Sequence, residues 1–88
     1  MDSEELIDAE CRVRVGTRLA GKWQIDRLLG VGGMAAVYAA THRNGRTAAL
    51  KVLHEKYAAV PQIRERFLRE ALVANKIDHP GVVRIDDD

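Results

Sequence analysis

Three glycines within four positions mark the stretch of this sequence best suited to chemistry. Gly30, Gly32 and Gly33 lie in the segment 28–38, which reads LLGVGGMAAVY. Glycine has no Cβ, so the backbone N–H groups of such a turn can approach a ligand closely. Free N–H groups in a turn commonly bind phosphate. The alternative is a hairpin whose glycines only shape the turn, since a short Gly-x-Gly pattern is a weak signal alone.

A lysine stands in the middle of a predicted strand downstream of these glycines. The segment Thr47–Leu53 reads as a strand, and Lys51 is its only charged residue. A period of two divides the strand into one face with Thr47, Ala49, Lys51 and Leu53 and another with Ala48, Leu50 and Val52. Taken alone, Lys51 could be a surface lysine on an edge strand.

Glu70 interrupts the apolar stripe of the only long predicted helix, which runs from Pro61 to about Ile77. The stripe consists of Ile63, Phe67, Ala74 and Ile77. A carboxylate on a packed face needs a cationic partner, and Lys51 lies on the sheet face that this helix would cover. We therefore expect a Lys51–Glu70 ion pair beneath the glycine turn. Removing one half of such a buried pair costs roughly 3–5 kcal/mol.

The elements that would position these residues form a small antiparallel sheet. Strands are predicted at Trp23–Leu29, Val37–Thr41, Thr47–Leu53 and Val82–Ile85. Polar residues throughout the first strand favour a sheet with one solvated face. The dipeptide Asn44-Gly45 is typical of a tight hairpin turn. Residues 78–81, which include Pro80 and Gly81, are expected to end the helix.

Composition indicates one small domain. The chain has 88 residues, a formal net charge of +1 and 47% hydrophobic residues. A net charge near zero gives no case for binding nucleic acid or an anionic membrane. No apolar run is long enough for a membrane span or a signal peptide. The single cysteine, Cys11, fits a reducing compartment, so a cytoplasmic location is expected.

The charged N-terminal segment is predicted to be separate from this domain. Acidic residues between positions 2 and 10 precede arginines at 12, 14 and 18, with no clear apolar period. We expect residues 1–17 to form a flexible leader and residues 18–88 to form the domain.

Together these motifs resemble the N-terminal lobe of the eukaryotic-type serine/threonine protein kinases found in bacteria. The resemblance covers about residues 16–88. Gly30, Gly32 and Val37 match the G-x-G-x-x-G-x-V loop, Ala48 to Lys51 match V-A-I-K, Glu70 matches the helix-C glutamate, and His79-Pro80 match the His-Pro after that helix. One departure is Ala35, which stands at the third glycine position.

The resemblance implies an α+β fold, a twisted antiparallel sheet with helix C packed on it. It implies that ATP donates its γ-phosphate to serine or threonine of a protein substrate. Lys51, contacting the α- and β-phosphates, and Glu70 would be the catalytic residues. The implied nucleotide-binding residues are Leu29, Gly30, Val31, Gly32, Gly33, Met34, Val37, Ala49 and Lys51, with Leu29, Val37 and Ala49 roofing the adenine.

The chain stops at Asp88, before the family's fifth strand, hinge, catalytic loop and metal-binding D-F-G segment. The resemblance therefore implies that the 88-residue chain is inactive alone, and that the ligands of Mg²⁺ lie in the missing C-lobe. The missing strand would leave Thr47–Leu53 with an open edge, through which we expect self-association.

Two alternatives remain open. The chain could be a non-catalytic kinase-like module that acts by binding a partner. A dinucleotide-binding fold would also fit Gly30-x-Gly32-x-x-Ala35, although its first strand should be almost entirely apolar.

The remaining ring residues receive ordinary interpretations. His42, His54 and His79 lack metal-ligand spacing and are predicted to be turn or surface residues. Trp23, Tyr38, Tyr57 and Phe67 are predicted to belong to the core rather than to a recognition surface.

Overall fold

A computed structural model describes residues 2–70 and 81–85 of the chain. In chain order the elements are α1 (Ser3–Arg14), β1 (Arg18–Leu19), β2 (Trp23–Val31), β3 (Ala35–His42), β4 (Thr47–Leu53), α2 (Glu55–Ala58), α3 (Pro61–Glu70) and β5 (Val82–Arg84). The described strands form one sheet in the order β1-β2-β3-β4-β5, and every neighbouring pair is antiparallel. The predicted α+β class is confirmed. The antiparallel pairing excludes the dinucleotide-binding alternative, which requires parallel strands.

The β3–β4 hairpin follows the prediction from Asn44-Gly45. Gly45 has φ +92, a value that residues with a Cβ rarely adopt. The N–H of His42 donates to the carbonyl of Arg46 at 2.7 Å and closes the turn. The hairpin sets a regular register from Ala35↔Leu53 to Thr41↔Thr47.

Strand β4 alternates as its sequence predicts. Ala48, Leu50 and Val52 are buried, whereas Lys51 is exposed. The buried residues join a core with members from β1, β2, β3 and β5, including the fully buried Ile25 and Tyr38. Trp23 and Tyr38 thus belong to the core, as predicted.

The N-terminal segment differs from the expected flexible leader, because residues 3–14 form helix α1. Asp2 accepts a hydrogen bond from the N–H of Glu5 at 2.8 Å and caps the helix. Acidic residues in the first turn and arginines in the last complement the helix dipole. The charge segregation that resembles a solvated leader therefore also suits a helix.

Helix α1 covers one face of the sheet. Cys11 is buried in the core, and Ile7 and Val15 pack against it. The Tyr38 hydroxyl donates to the carbonyl of Cys11 at 3.2 Å. Burial, reinforced by contact with Cys11, raises the pKa of Tyr38. The sheet face opposite α1 carries Lys51.

The prediction that β4 has an open edge is wrong, because β5 pairs with it. Leu50, Lys51 and Val52 face Arg84, Val83 and Val82 respectively. The edge strands of the described sheet are therefore β1, with two residues, and β5, with three. Short edge strands offer few free backbone groups to another chain.

Helix α3 begins at Pro61, as predicted. The predicted continuation to Ile77, including Ala74, lies outside the described residues, as do His79 and Pro80. Within Pro61–Glu70 no residue is fully buried. In the described part of the chain, no helix is long and apolar enough to cross a membrane.

The docking of α1 can be tested with two aspartates on the same helix. Cys11 is 4% exposed and Val13 is 75% exposed. We expect Cys11→Asp to lower the free energy of unfolding by at least about 2 kcal/mol, because it buries a carboxylate. Val13→Asp should change it by less than about 0.5 kcal/mol. Urea denaturation measures both, and equal effects would contradict the docked helix.

Candidate functional site

The glycine turn comprises residues 32–34, between β2 and β3, and hydrogen bonds hold it in place. The N–H of Gly32 donates to the carbonyl of Ala35 at 2.8 Å. His54 donates its backbone N–H to the carbonyl of Met34 and its ring Nε2–H to the carbonyl of Gly32, both at 2.8 Å. The N–H groups of Gly33 and Met34 find no acceptor among the described residues. These two donors remain available to a ligand.

Neither backbone conformation nor packing explains all three glycines in and next to this turn. Gly30, Gly32 and Gly33 do not have positive φ. A Cβ added at Gly30 or Gly33 would meet no atom within 4 Å, whereas one at Gly32 would lie 3.3 Å from the Ala35 carbonyl. Two of the glycines thus leave empty space at the turn surface. Such space is what a closely approaching ligand needs.

Lys51 lies beside this turn on the face opposite α1. In the ladder it stands between Val37 of β3 and Val83 of β5. Its side chain is exposed and forms no ion pair with any of the residues the structure describes.

The expected Lys51–Glu70 ion pair is absent from the described structure. Instead, Oε1 of Glu70 lies 3.4 Å from Nε of Arg66, which stands one turn earlier on α3. Both side chains are largely exposed. Spacing of four residues makes Arg66 the local partner of Glu70. Because both carboxylate and lysine reach solvent, neither needs the other to offset burial.

Lys51 and Glu70 nevertheless line the same cavity. Its volume is about 380 Å³, and it is lined by Gly32, Gly33, Met34, Ala35, Lys51, Ile63, Arg66, Phe67 and Glu70. Among the described residues, two cations and one carboxylate line it, together with the free N–H donors of the turn. This combination suits an anionic ligand such as a phosphate.

The other predicted site residues lie around this cavity without lining it. Val37 and Ala49 are half-buried on the sheet face of Lys51. Leu29 is 49% exposed, at a shift in the β2–β3 register, and Gly30 pairs with Val37. Val31 lines a different cavity, between the turn and α1.

Sequence reasoning missed two residues at this site. His54, predicted to be a turn or surface residue, is 4% exposed and hydrogen-bonded to the turn. No pattern near His54 in the sequence indicates these contacts, because the hydrogen-bonded residues are distant in the chain. Arg66, which was not among the predicted site residues, lines the cavity, and its spacing of four residues from Glu70 was the signal for the observed pair.

Within residues 2–70 and 81–85, no three histidine, cysteine, aspartate or glutamate side chains group to hold a metal ion.

Comparison with known proteins relates this chain to protein kinases. No family profile matches the chain. The chain is 39% identical over 75 residues to the serine/threonine-protein kinase PknA of Mycobacterium tuberculosis, covering 84% of this chain and 17% of PknA. It is 43% identical over 74 residues to the serine/threonine-protein kinase PrkC of Bacillus subtilis, covering 83% and 11%. It is 46% identical over 74 residues to the DNA damage-responsive serine/threonine-protein kinase RqkA of Deinococcus radiodurans, covering 82% and 11%.

The predicted resemblance is therefore confirmed. Over more than four-fifths of its length the chain is homologous to part of the bacterial serine/threonine protein kinases. The curled antiparallel sheet with its helices is consistent with a kinase N-terminal lobe. The chain spans less than a fifth of the length of these relatives.

The exposure of Lys51 can be tested by its removal. Lys51→Met should change the free energy of unfolding by less than about 0.5 kcal/mol, because the lysine is exposed and unpaired among the described residues. Glu70→Gln is the matched substitution on the other side of the cavity, and it should change the free energy of unfolding equally little. Urea denaturation of both variants provides the measurement. A loss of roughly 3–5 kcal/mol in either would show a buried ion pair instead.

Proposed function

We propose that this chain is the ATP-binding part of a serine/threonine protein kinase and that its cavity holds the phosphates of ATP. One observation carries the proposal: two N–H donors of a glycine turn and the Lys51 ammonium line one cavity, and none of the three has a partner within residues 2–70 and 81–85. The homologous kinases support ATP as the nucleotide. Phosphoryl transfer depends mainly on positioning and on neutralising charge, which these groups can supply.

Six of the predicted nucleotide-binding residues have a direct contact in this proposal. Lys51 would contact the α- and β-phosphates, and Gly33 and Met34 would donate their N–H groups to phosphate oxygens. Val37 stands opposite Lys51, and Ala49 precedes Lys51 by two residues on the same face. These two residues, with Leu29, would form the apolar contact to the adenine.

We further propose that, when the kinase binds the nucleotide, Glu70 breaks its ion pair with Arg66 and forms one with Lys51. An exposed pair at helical spacing is worth only about 0.3–0.5 kcal/mol, so breaking the Arg66–Glu70 contact costs little. Glu70 and Lys51 already line the same cavity. The pair would then hold the lysine ammonium in place for the phosphates.

Catalysis would require groups beyond the described residues. Mg²⁺ bound with ATP supplies neutralisation of the β- and γ-phosphate charge. We propose that its protein ligands and the catalytic base belong to another part of the kinase. On this proposal the 88-residue chain binds ATP without transferring phosphate to a serine or threonine of the protein substrate. The cytoplasm, which supplies ATP, would be its location.

The first test is the affinity of the chain for ATP, measured by isothermal titration calorimetry. Lys51→Met should weaken ATP binding by about 10- to 100-fold, because a charge-assisted contact is worth about 1.5–3 kcal/mol. Lys22→Met removes the same charge from a lysine outside this cavity and should leave the affinity unchanged. Failure of the unmodified chain to bind ATP would contradict the proposal and favour the non-catalytic module that binds a protein partner.

A second test separates nucleotide binding from stability. Gly33→Ala places a methyl group in open space at an ordinary φ, so it should keep the fold or stabilise it by about 0.4–1 kcal/mol. The same methyl group should weaken ATP binding, because it stands where the phosphates would approach. Thermal denaturation and calorimetry report the two effects. Unchanged ATP affinity would show that the phosphates do not contact this turn.

A further inference from the structure

The residue that holds the glycine turn most directly is His54. It is 4% exposed and follows β4 directly, three positions after Lys51. Its backbone N–H and its ring Nε2–H bond the carbonyls of Met34 and Gly32. One residue therefore fixes two carbonyls of the turn to the end of the strand that carries Lys51.

The contacts of the ring define its tautomer. The carbonyl of Gly32 can only accept a hydrogen bond, so Nε2 of His54 must carry the proton. The opposite nitrogen, Nδ1, lies 3.9 Å from Sγ of Cys11 in helix α1. The two ring nitrogens therefore contact the glycine turn on one side and helix α1 on the other. His54 thus connects the turn to the helix that covers the core.

The bond to the Gly32 carbonyl also orients one of the two free donors of the turn. In a trans peptide the carbonyl of one residue and the N–H of the next point in opposite directions, and no described peptide bond is cis. Holding the Gly32 carbonyl against buried His54 therefore directs the Gly33 N–H away from the core. Gly33 is exposed and lines the cavity.

We propose that His54 is a positioning residue, which orients the Gly32–Gly33 peptide so that the Gly33 N–H meets a phosphate of the nucleotide. This inference rests on the proposed function and assigns a residue that the kinase motifs of the sequence do not include. Because the same residue directly follows β4, it also fixes the distance between the turn and Lys51.

Two substitutions separate this role from simple packing. His54→Gln keeps a side-chain N–H near the position of Nε2, whereas His54→Phe keeps a ring of similar size without a donor. We expect His54→Phe to weaken ATP binding about tenfold and His54→Gln to stay within about twofold of the unmodified chain. Adenosine, which has no phosphate, should bind all three proteins alike. Equal losses for ATP and adenosine, or an unchanged ATP affinity in His54→Phe, would overturn the proposal.

A measurement without nucleotide keeps this test independent of the proposed function. The ¹⁵N order parameters of Gly33 and Met34 report whether the turn is held on the ps–ns timescale. They should fall from about 0.85 to below about 0.6 in His54→Phe and remain high in His54→Gln. Unchanged values in His54→Phe would overturn the positioning role even if ATP binds. The order parameters could fall as expected in His54→Phe while the unmodified chain binds no ATP. That result would show that His54 holds the turn, but it would contradict both the proposed function and the role of His54 in phosphate binding.

Discussion

The register between β3 and β4 is the constraint on which the site depends. The hairpin at Asn44-Gly45 pairs Val37 with Lys51 and Ala35 with Leu53. Side chains alternate between the faces of a strand, so a slip of one residue would turn Lys51 toward α1 and the core. It would also turn Leu50, which is fully buried, toward solvent. Burial of the apolar residues of β4 therefore holds Lys51 on the cavity face.

Because of this register, one face of the sheet forms the core and the other forms the candidate site. One face packs against α1 and contains the core around Tyr38 and Cys11. The other presents Lys51 beside the glycine turn and α3. His54 links the two sides, since it contacts Cys11 through one ring nitrogen and Gly32 through the other. The residues that stabilise the fold are thus different from those that line the cavity. Lys51 can therefore stay exposed without weakening the core.

Local patterns in the sequence were sufficient for much of the fold. The alternation in β4, the hairpin at Asn44-Gly45 and the helix start at Pro61 each depend on residues close together in the chain. Helix α1 was missed because its charges suit a solvated leader as well as a helix. Ile7 and Cys11 of the helix and Val15 directly after it pack against the core, and their spacing of four residues was its apolar signal.

Features that depend on distant residues could not be read in the same way. The pairing of β5 with β4 is a choice between strand partners far apart in sequence, and no local pattern decides it. The Lys51–Glu70 pair was expected because both residues interrupt apolar patterns, yet each is exposed and Arg66 is the nearer partner of Glu70. Likewise, nothing near His54 in the sequence shows that Cys11 and Gly32 enclose it. The motif order, by contrast, was enough to predict the kinase relationship that the homologues confirm.

The most direct test of the central claim is to map where ATP binds by recording ¹H–¹⁵N spectra of the chain during a titration. If the phosphates bind the glycine turn and Lys51, the amide signals of Gly33 and Met34 shift with ATP, together with those of β4 around Lys51, and adenosine leaves the two turn signals in place. The chain has a second group of cations, Arg18, Lys22 and Arg43, around another cavity. Shifts confined to that group, or no shifts at the glycine turn, would contradict the assignment of this turn and Lys51 as the phosphate site.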